Sequence, residues 1–352
     1  MRILITGAAG FVGFHLAARC LVDGHDVVGV DNLDPYYDVT LKQARLARLL
    51  GERAFRFERI DLAEEGPFAA LMAEIRPDVV VHLAAQAGVR YSIEAPQAYI
   101  RANIQGFLTV LEACCRVPVR HLIYASSSSV YGQSSTVPFS EDQAADRPVS
   151  LYAATKRANE LMAHSYAHLF AIPATGLRFF TVYGPWGRPD MMYFKFTEAV
   201  LSGEPIDVFN HGVMERDFTY VDDVIAGIMP LLTEPPARGS GPDSGHESGS
   251  AVSADSAGEA PHRVLNIGNN RPVTLARFIE AIEHAAGRRA LRNFLPMQPG
   301  DVLRTCASID AIASLSGFSP QTEVEVGVAR FVAWYRDFYH RHEAPAEAEL
   351  VS

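Results

Sequence analysis

The sequence predicts an α/β protein in which a doubly wound parallel sheet is followed by a smaller, mixed α/β C-terminal domain. Three observations point to it. Short β-branched runs alternate with longer helical patterns over the first 130 residues. The first of these runs leads straight into a glycine loop, Gly7-Ala8-Ala9-Gly10-Phe11-Val12-Gly13, at the head of a helical pattern. A third run, DVVVHLAA (78–85), is apolar throughout, as a strand covered on both faces requires.

In chain order, RILIT (2–6) reads as a strand and FVGFHLAARCLVDG (11–24) as a helix. DVVGVD (26–31) is a strand, TLKQARLARLL (40–50) a helix, AFRFERID (54–61) a strand and PFAALMAEIRP (67–77) a helix. After the strand 78–85 comes a helix over 97–116, then a strand, HLIYASSSS (121–129), that ends in four hydroxyls. Tyr152 and Lys156 fall on a further helix, SLYAATKRANE. Past residue 180 the pattern loosens into short strands and helices punctuated by Gly and Pro. The expected boundaries are a cofactor domain over 1–178 and a substrate domain over 179–340. Residues 232–262 hold almost no large apolar side chain and are expected to form a disordered insertion, because they cannot bury enough surface to offset their ordering entropy. Residues 341–352 are expected to form a flexible tail.

The chain of 352 residues carries a formal charge of −10, which argues against a generic nucleic-acid or anionic-membrane binder. Its four cysteines, Cys20, Cys114, Cys115 and Cys306, form no CxxC pair and have no metal-like spacing with histidine. Reduced thiols and no metal are therefore expected. The start, MRILITGAAG, lacks the layout of a signal peptide, and no apolar stretch approaches the roughly 18 residues of a membrane span. A cytoplasmic protein is the expectation.

A glycine loop between strand and helix lets the backbone approach a pyrophosphate, and the helix N-terminus supplies free N–H groups for it. Here the spacing is GxxGxxG, set by Gly7, Gly10 and Gly13. Asp31 ends the next strand, where an acidic residue accepts hydrogen bonds from the adenosine ribose. A carboxylate there repels a 2′-phosphate, so NAD is favoured over NADP. Asp61, at the end of the third strand, is a candidate for an adenine contact. Tyr152 and Lys156 are four apart, so a helix places them on one face. Phenol titrates near 10, and a neighbouring ammonium together with a cationic nicotinamide ring would favour phenolate. Tyr152 could then take a proton from a substrate hydroxyl. Ligands of doubly wound folds sit beyond the carboxyl ends of the strands, which is where HLIYASSSS delivers its serines.

TGAAGFVG, HLAAQAGVR, YASSSSVYG, YAATK, GLRFFTVYGP and RDFTYVDD together resemble an extended short-chain dehydrogenase/reductase of the nucleotide-sugar epimerase/dehydratase type, with a Rossmann-type cofactor domain. Within that group SLYAATKRANELMAH, TVYGPWGRPDM, IDVFNHG and LPMQPGDV are most similar to bacterial UDP-glucuronate 4-epimerases. The resemblance implies tightly held NAD, a UDP-sugar substrate and a homodimer in which the 97–116 helix and the helix carrying Tyr152 pair with their mates. It implies Ser127 as the catalytic serine, Tyr152 as the base, and Lys156 as the residue that binds the nicotinamide ribose and lowers the pKa of Tyr152. It extends the cofactor site to Phe11, Val12, Asn32, Leu62, Leu83, Ala84, Ala85, Asn103 and Phe180, and the substrate site to Arg90, Ser128, Ser129, Thr181, Arg188 and Arg216. Thr181 stands where glucose epimerases have asparagine, Arg216 would meet the diphosphate, and Gln298 stands where an arginine is usual. Ser308 replaces a usual acidic residue.

The substrate turns on two positions. Oxidising C4 of UDP-glucuronate yields a β-keto acid, which readily loses CO₂. Related decarboxylases carry glutamate where this chain has Ser129, and a neutral hydroxyl cannot promote that loss in the same way. Arg188 can grip the C6 carboxylate bidentately and hold its bond out of alignment with the ketone. The expected reaction is reversible 4-epimerisation of UDP-glucuronate to UDP-galacturonate. The alternatives are a 4-epimerase of neutral UDP-sugars (UDP-glucose or UDP-N-acetylglucosamine), against which Arg188 argues, and a UDP-glucuronate decarboxylase, against which Ser129 argues. A non-catalytic nucleotide sensor is opposed by the intact Ser127, Tyr152 and Lys156.

Overall fold

A computed structural model describes residues 1–134, 136–238, 260–296 and 303–343. The first half runs β1 (Arg2–Thr6), α1 (Phe11–Val22), β2 (Asp26–Asp31), α2 (Val39–Leu50), β3 (Phe55–Arg59), α3 (Glu65–Ile75) and β4 (Val79–His82). It continues through two short helices, α4 (Tyr91–Glu94) and α5 (Pro96–Tyr99), a π-helical turn (Ile100–Gln105), α6 (Gly106–Arg116), β5 (His121–Ser127), α7 (Leu151–Phe170) and β6 (Ala174–Phe179). The second half holds β7 (Thr181–Tyr183), α8 (Met192–Ser202), β8 (Pro205–Phe209), β9 (Glu215–Arg216), β10 (Phe218–Tyr220), α9 (Val221–Leu231), β11 (His262–Ile267), β12 (Val273–Thr274), α10 (Leu275–Ala286), β13 (Leu291–Leu295), α11 (Asp310–Ser316) and α12 (Val324–Glu343).

Seven parallel strands form one sheet in the order β11-β6-β5-β4-β1-β2-β3. Successive residues of a strand face opposite ways, and both faces are covered. Ile3, Ile5, Val27, Val81 and Ile123 pack into a core with α1 and α2, whereas Leu4, Val28, Val80 and Leu122 pack against Phe68 of α3 and Phe107 of α6. Each such aliphatic side chain contributes roughly 1.5–3 kcal/mol by leaving water, so the β-branched runs cannot tolerate a charge on either face. The strand order reverses between β1 and β4, which opens a crevice at their carboxyl ends.

Four expectations need correction. The 97–116 helix is broken: α5 passes through the π turn before α6 resumes at Gly106. Strand β5 stops at Ser127, because the Ser127 hydroxyl accepts from the Ser129 N–H (3.2 Å) and starts a 3₁₀ turn over Ser128–Tyr131. The expected insertion is too wide. Leu232 is buried, and His262 opens β11, where its Nε2 meets the Tyr124 hydroxyl at 2.8 Å; residues 239–259 lie outside the described residues. Helix α12 runs to Glu343, into the expected tail, and 344–352 lie outside the described residues. The chain also returns to the cofactor sheet after residue 178, since β11 is its edge strand and α9 packs on α1.

Candidate active site

The glycine loop joins β1 to α1 and is tied to β2 by the Gly7 and Ala8 N–H groups, which both donate to Val30 O (2.7 and 3.2 Å). Gly7 has φ +75°, and a Cβ there would stand 2.7 Å from Ala84 N; one on Gly10 would stand 2.9 Å from Gly7 O. Only glycine leaves this backbone bare and open. Above the loop lies a cleft of about 460 Å³. Its walls include Gly7, Gly10, Phe11, Val12, Gly13, Asp31, Asn32, Asp61, Leu62, Leu83, Ala84 and Ala85. They continue through Ser127, Ser128, Ser129, Tyr152, Lys156, Phe180, Thr181 and Arg188.

Asp31 is oriented by N–H donors from Ala9 (3.1 Å to Oδ2) and Leu33 (2.8 Å to Oδ1). Burial raises its pKa, while the Lys42 ammonium and these donors act in the opposite direction. Asp61 accepts from the Ala63 N–H at 2.9 Å and pairs with Arg101 at 3.0 Å.

Helix α7 is capped by Ser150, whose hydroxyl accepts from the Ala153 N–H at 3.1 Å. The cap fixes the first turn, which carries Tyr152. One turn on, Lys156 is only 2 % exposed, and its Nζ donates to Ala125 O of β5 at 2.9 Å. Desolvation lowers its pKa from the ordinary lysine value to about 8. Deeper still, Glu160 gathers the Ser126 hydroxyl (2.6 Å), Arg157 (2.6 Å) and Arg178 (2.8 and 2.9 Å), which locks α7 to the strands beneath it. Ser126 is therefore structural, although it follows the same strand end.

Tyr152 and Ser127 meet at the cleft floor, where the Ser127 hydroxyl is near enough to act on the phenol. Burial raises the Tyr152 pKa, and the Ser127 hydroxyl and the Arg188 charge pull it back. Arg188 is thus one cation whose field acts on the phenol, and Lys156 Nζ donates to a backbone carbonyl of β5. Arg188 grips Asp190 through Nε (3.0 Å) and Nη2 (2.5 Å), and the Tyr36 hydroxyl donates to the same carboxylate at 3.2 Å.

Three expected residues lie off the cleft wall. Asn103 sits behind it in the π turn, where its Oδ1 accepts from Gln86 N (2.8 Å) and its Nδ2 donates to Gln86 O (3.0 Å) and Thr155 Oγ1 (3.0 Å), so neither of its amide N–H groups is left to donate to a cofactor. Arg90 lies over the Phe209 ring at 5.8 Å. Arg216 donates to Glu215 O (3.0 Å) and Leu303 O (3.3 Å). Ser308 bonds to Asp310 at 3.0 Å, which replaces a charged role by a local turn contact. Gln298 lies outside the described residues. The cleft also brings in Tyr36, Tyr37, Lys42, Gln86 and Met191, which sequence reasoning missed. Lys42 had a readable signal: it lies in the first turn of the helix that follows Asp31.

The bare glycine loop, the buried carboxylate at the end of β2 and the size of the cleft all fit a dinucleotide. Together with the Ser–Tyr–Lys group they define an NAD-dependent short-chain dehydrogenase/reductase type of enzyme. The chain belongs to the NAD dependent epimerase/dehydratase family, whose profile matches residues 3–243. It is 50 % identical over 345 residues (97 % of this chain, 98 % of the relative) to a protein of Rhizobium meliloti described as "Probable UDP-glucuronate 4-epimerase". It is 44 % identical over 344 residues (96 % and 77 %) to UDP-glucuronate 4-epimerase 1 of Arabidopsis thaliana. Among solved structures, UDP-glucuronic acid 4-epimerase from Bacillus cereus, in complex with UDP-glucuronic acid and NAD, matches at a TM-score of 0.84 with 34 % identity, covering 96 % of this chain and all of that one. Among the described residues no cluster could hold a metal ion, and no helix is long and apolar enough to cross a membrane.

Proposed function

We propose that this protein interconverts UDP-glucuronate and UDP-galacturonate, with NAD in the half that carries the glycine loop and the UDP-sugar held with the help of residues 179–340. One observation carries the reading: Tyr152 stands beside Ser127 and in the field of a guanidinium at the inner end of a dinucleotide cleft. When bound, NAD supplies the acceptor for the C4 hydride and the donor for its return. Tyr152 takes the O4 proton, and Ser127 shares it and holds the oxygen in place. The 4-keto sugar turns within the site so that C4 presents its other face for the returning hydride, and Tyr152 gives the proton back to O4. Asp190 uses two of the five N–H groups of Arg188, which leaves three for the C6 carboxylate. Lys156 holds the ribose side of the cofactor site. Purified protein given UDP-glucuronate and no added NAD is expected to form UDP-galacturonate by NMR; accumulation of NADH or release of CO₂ would overturn the reading.

Ser129 and Arg188 divide the outcome after oxidation. Ser129→Glu combined with Arg188→Ala is expected to shift product toward UDP-xylose or its 4-keto precursor, because the carboxylate is freed to align with the ketone. A change of ~1.4 kcal/mol between the two barriers alters their ratio tenfold. Mass spectrometry reads the loss of CO₂, and a double variant that makes only epimer refutes this division.

A homodimer fits the outer faces of α6 and α7. They leave Leu108 37 %, Leu161 54 % and Leu169 67 % exposed on two helices that pack side by side. Light scattering is expected to give about twice the chain mass of 38.5 kDa; Leu161→Glu with Leu108→Glu should yield monomer, and a parent that is already monomeric contradicts the pairing. The free thiols, of which Cys20, Cys114 and Cys306 are buried, fit a reducing cytoplasm.

A further inference from the structure

We infer that Arg45 is a positioning residue that sets the aim of Arg188, and through it the preference for an acidic sugar. This rests on the reading of Arg188 given above. Arg45 projects from α2 and is wholly buried. Its Nη1 donates to Ala9 O and to the Tyr37 hydroxyl, both at 2.8 Å. Its Nη2 donates to Trp186 O at 2.6 Å and Gly187 O at 3.1 Å, while Nε has no partner. Among the described residues no carboxylate lies within ion-pair distance of it.

A buried guanidinium held by neutral groups alone costs several kcal/mol of desolvation, and a methionine of similar reach would avoid that cost. What the charged fork offers instead is geometry: it binds the carbonyls of two loops directly, whereas the other links between these segments, His15 to Pro185 O (2.9 Å) and Phe14 on Trp186 (5.5 Å), run through α1 and touch neither Ala9 nor the Trp186 and Gly187 carbonyls. One is the glycine loop, where the Ala9 peptide donates to Asp31 on its other side (3.1 Å). The second is the loop that ends in Arg188. There Trp186 adopts φ +63°, a left-handed conformation that costs about 1–2 kcal/mol outside glycine. Arg45 bonds the carbonyl of that strained residue and of the next one, and Arg48 stacks on its indole at 4.9 Å. Arg188 follows directly. The direction of its guanidinium, toward Tyr152 and Asp190, is thus set by carbonyls that Arg45 holds. Asp31, Ala9, Arg45 and the Trp186–Gly187 carbonyls form one continuous hydrogen-bonded path from the ribose end of the cofactor site to the sugar end.

The test measures binding without turnover. NAD-loaded Tyr152→Phe protein, carrying Arg45→Met, Arg45→Lys, Arg188→Ala or the pairs of Arg188→Ala with each, is titrated calorimetrically with UDP-glucuronate and with UDP-glucose. Arg45→Met is expected to weaken UDP-glucuronate about tenfold and UDP-glucose less than about twofold, the size of one charged hydrogen bond lost. Arg45→Lys should lose the same selectivity, because a single ammonium cannot span both loops. Added to Arg188→Ala, neither change should alter the ratio of the two affinities further. Equal weakening of both sugars, unchanged selectivity, or an Arg45 effect that survives removal of Arg188 overturns the inference. If Arg45→Met does not fold, Arg45→Lys decides alone. If Arg188→Ala itself keeps the acid preference, it is the reading of Arg188 that fails; if Arg188→Ala loses it and Arg45→Lys does not, only the role of Arg45 fails.

Discussion

Tyr152→Phe is expected to lower turnover by about 10²–10⁴-fold while NAD and UDP-sugar stay bound, which is the usual weight of a positioned general base. The ring keeps its place: it packs edge-on to Tyr99 at 6.1 Å, and its helix is capped by Ser150 independently of the hydroxyl. Only the proton path through the phenol and Ser127 is removed. The parent's pH profile should place the base on its acidic limb, because activity needs phenolate and burial holds the free phenol above its ordinary value. Bound cofactor and substrate must therefore supply part of the field that brings it down, and Arg188 supplies another part. A folded Tyr152→Phe enzyme with turnover close to the parent would remove this residue from the mechanism.

Lys156→Met should abolish most turnover and at the same time stabilise the chain freed of NAD. The lysine is buried with a pKa of about 8, below its ordinary value of 10.5. Between about pH 8 and 10.5 the unfolded chain binds a proton that the folded chain does not. Stability therefore rises with pH through that window, and below pH 8 the folded state carries the whole penalty of the buried ammonium. The penalty is on the order of 3 kcal/mol, against about 1 kcal/mol for the lost Nζ–Ala125 hydrogen bond. Thermal unfolding at pH 7 should therefore show Lys156→Met a few degrees above the parent, with a flatter dependence between pH 8 and 10. A variant that unfolds earlier than the parent at pH 7 would show that the ammonium supports the fold. With activity lost and stability gained, the lysine would be one that function retains at the expense of the fold.

Much of this site was legible along the chain because its parts are local. The glycine loop, Asp31 and the four-residue step from Tyr152 to Lys156 each lie within a single strand–turn or helix, where spacing alone dictates which groups face one way. The parallel sheet was legible for the same reason, since continuous apolar runs admit a strand only where both faces are covered. What spacing could not supply was the partner each polar group would find across the fold. Asn103 reads like a cofactor ligand, yet Gln86 and Thr155, 17 and 52 residues away, take both of its amide N–H groups. Lys156 reads as the cation beside Tyr152; the fold gives its ammonium Ala125 O as a partner and adds a guanidinium from the loop after β7 that acts on the same phenol. Arg45 reads as one more charge on an amphipathic helix, but the folded chain buries it between two loops. A buried donor takes whichever acceptor packing brings within about 3 Å, and that choice is made between segments far apart in sequence, by the tertiary structure.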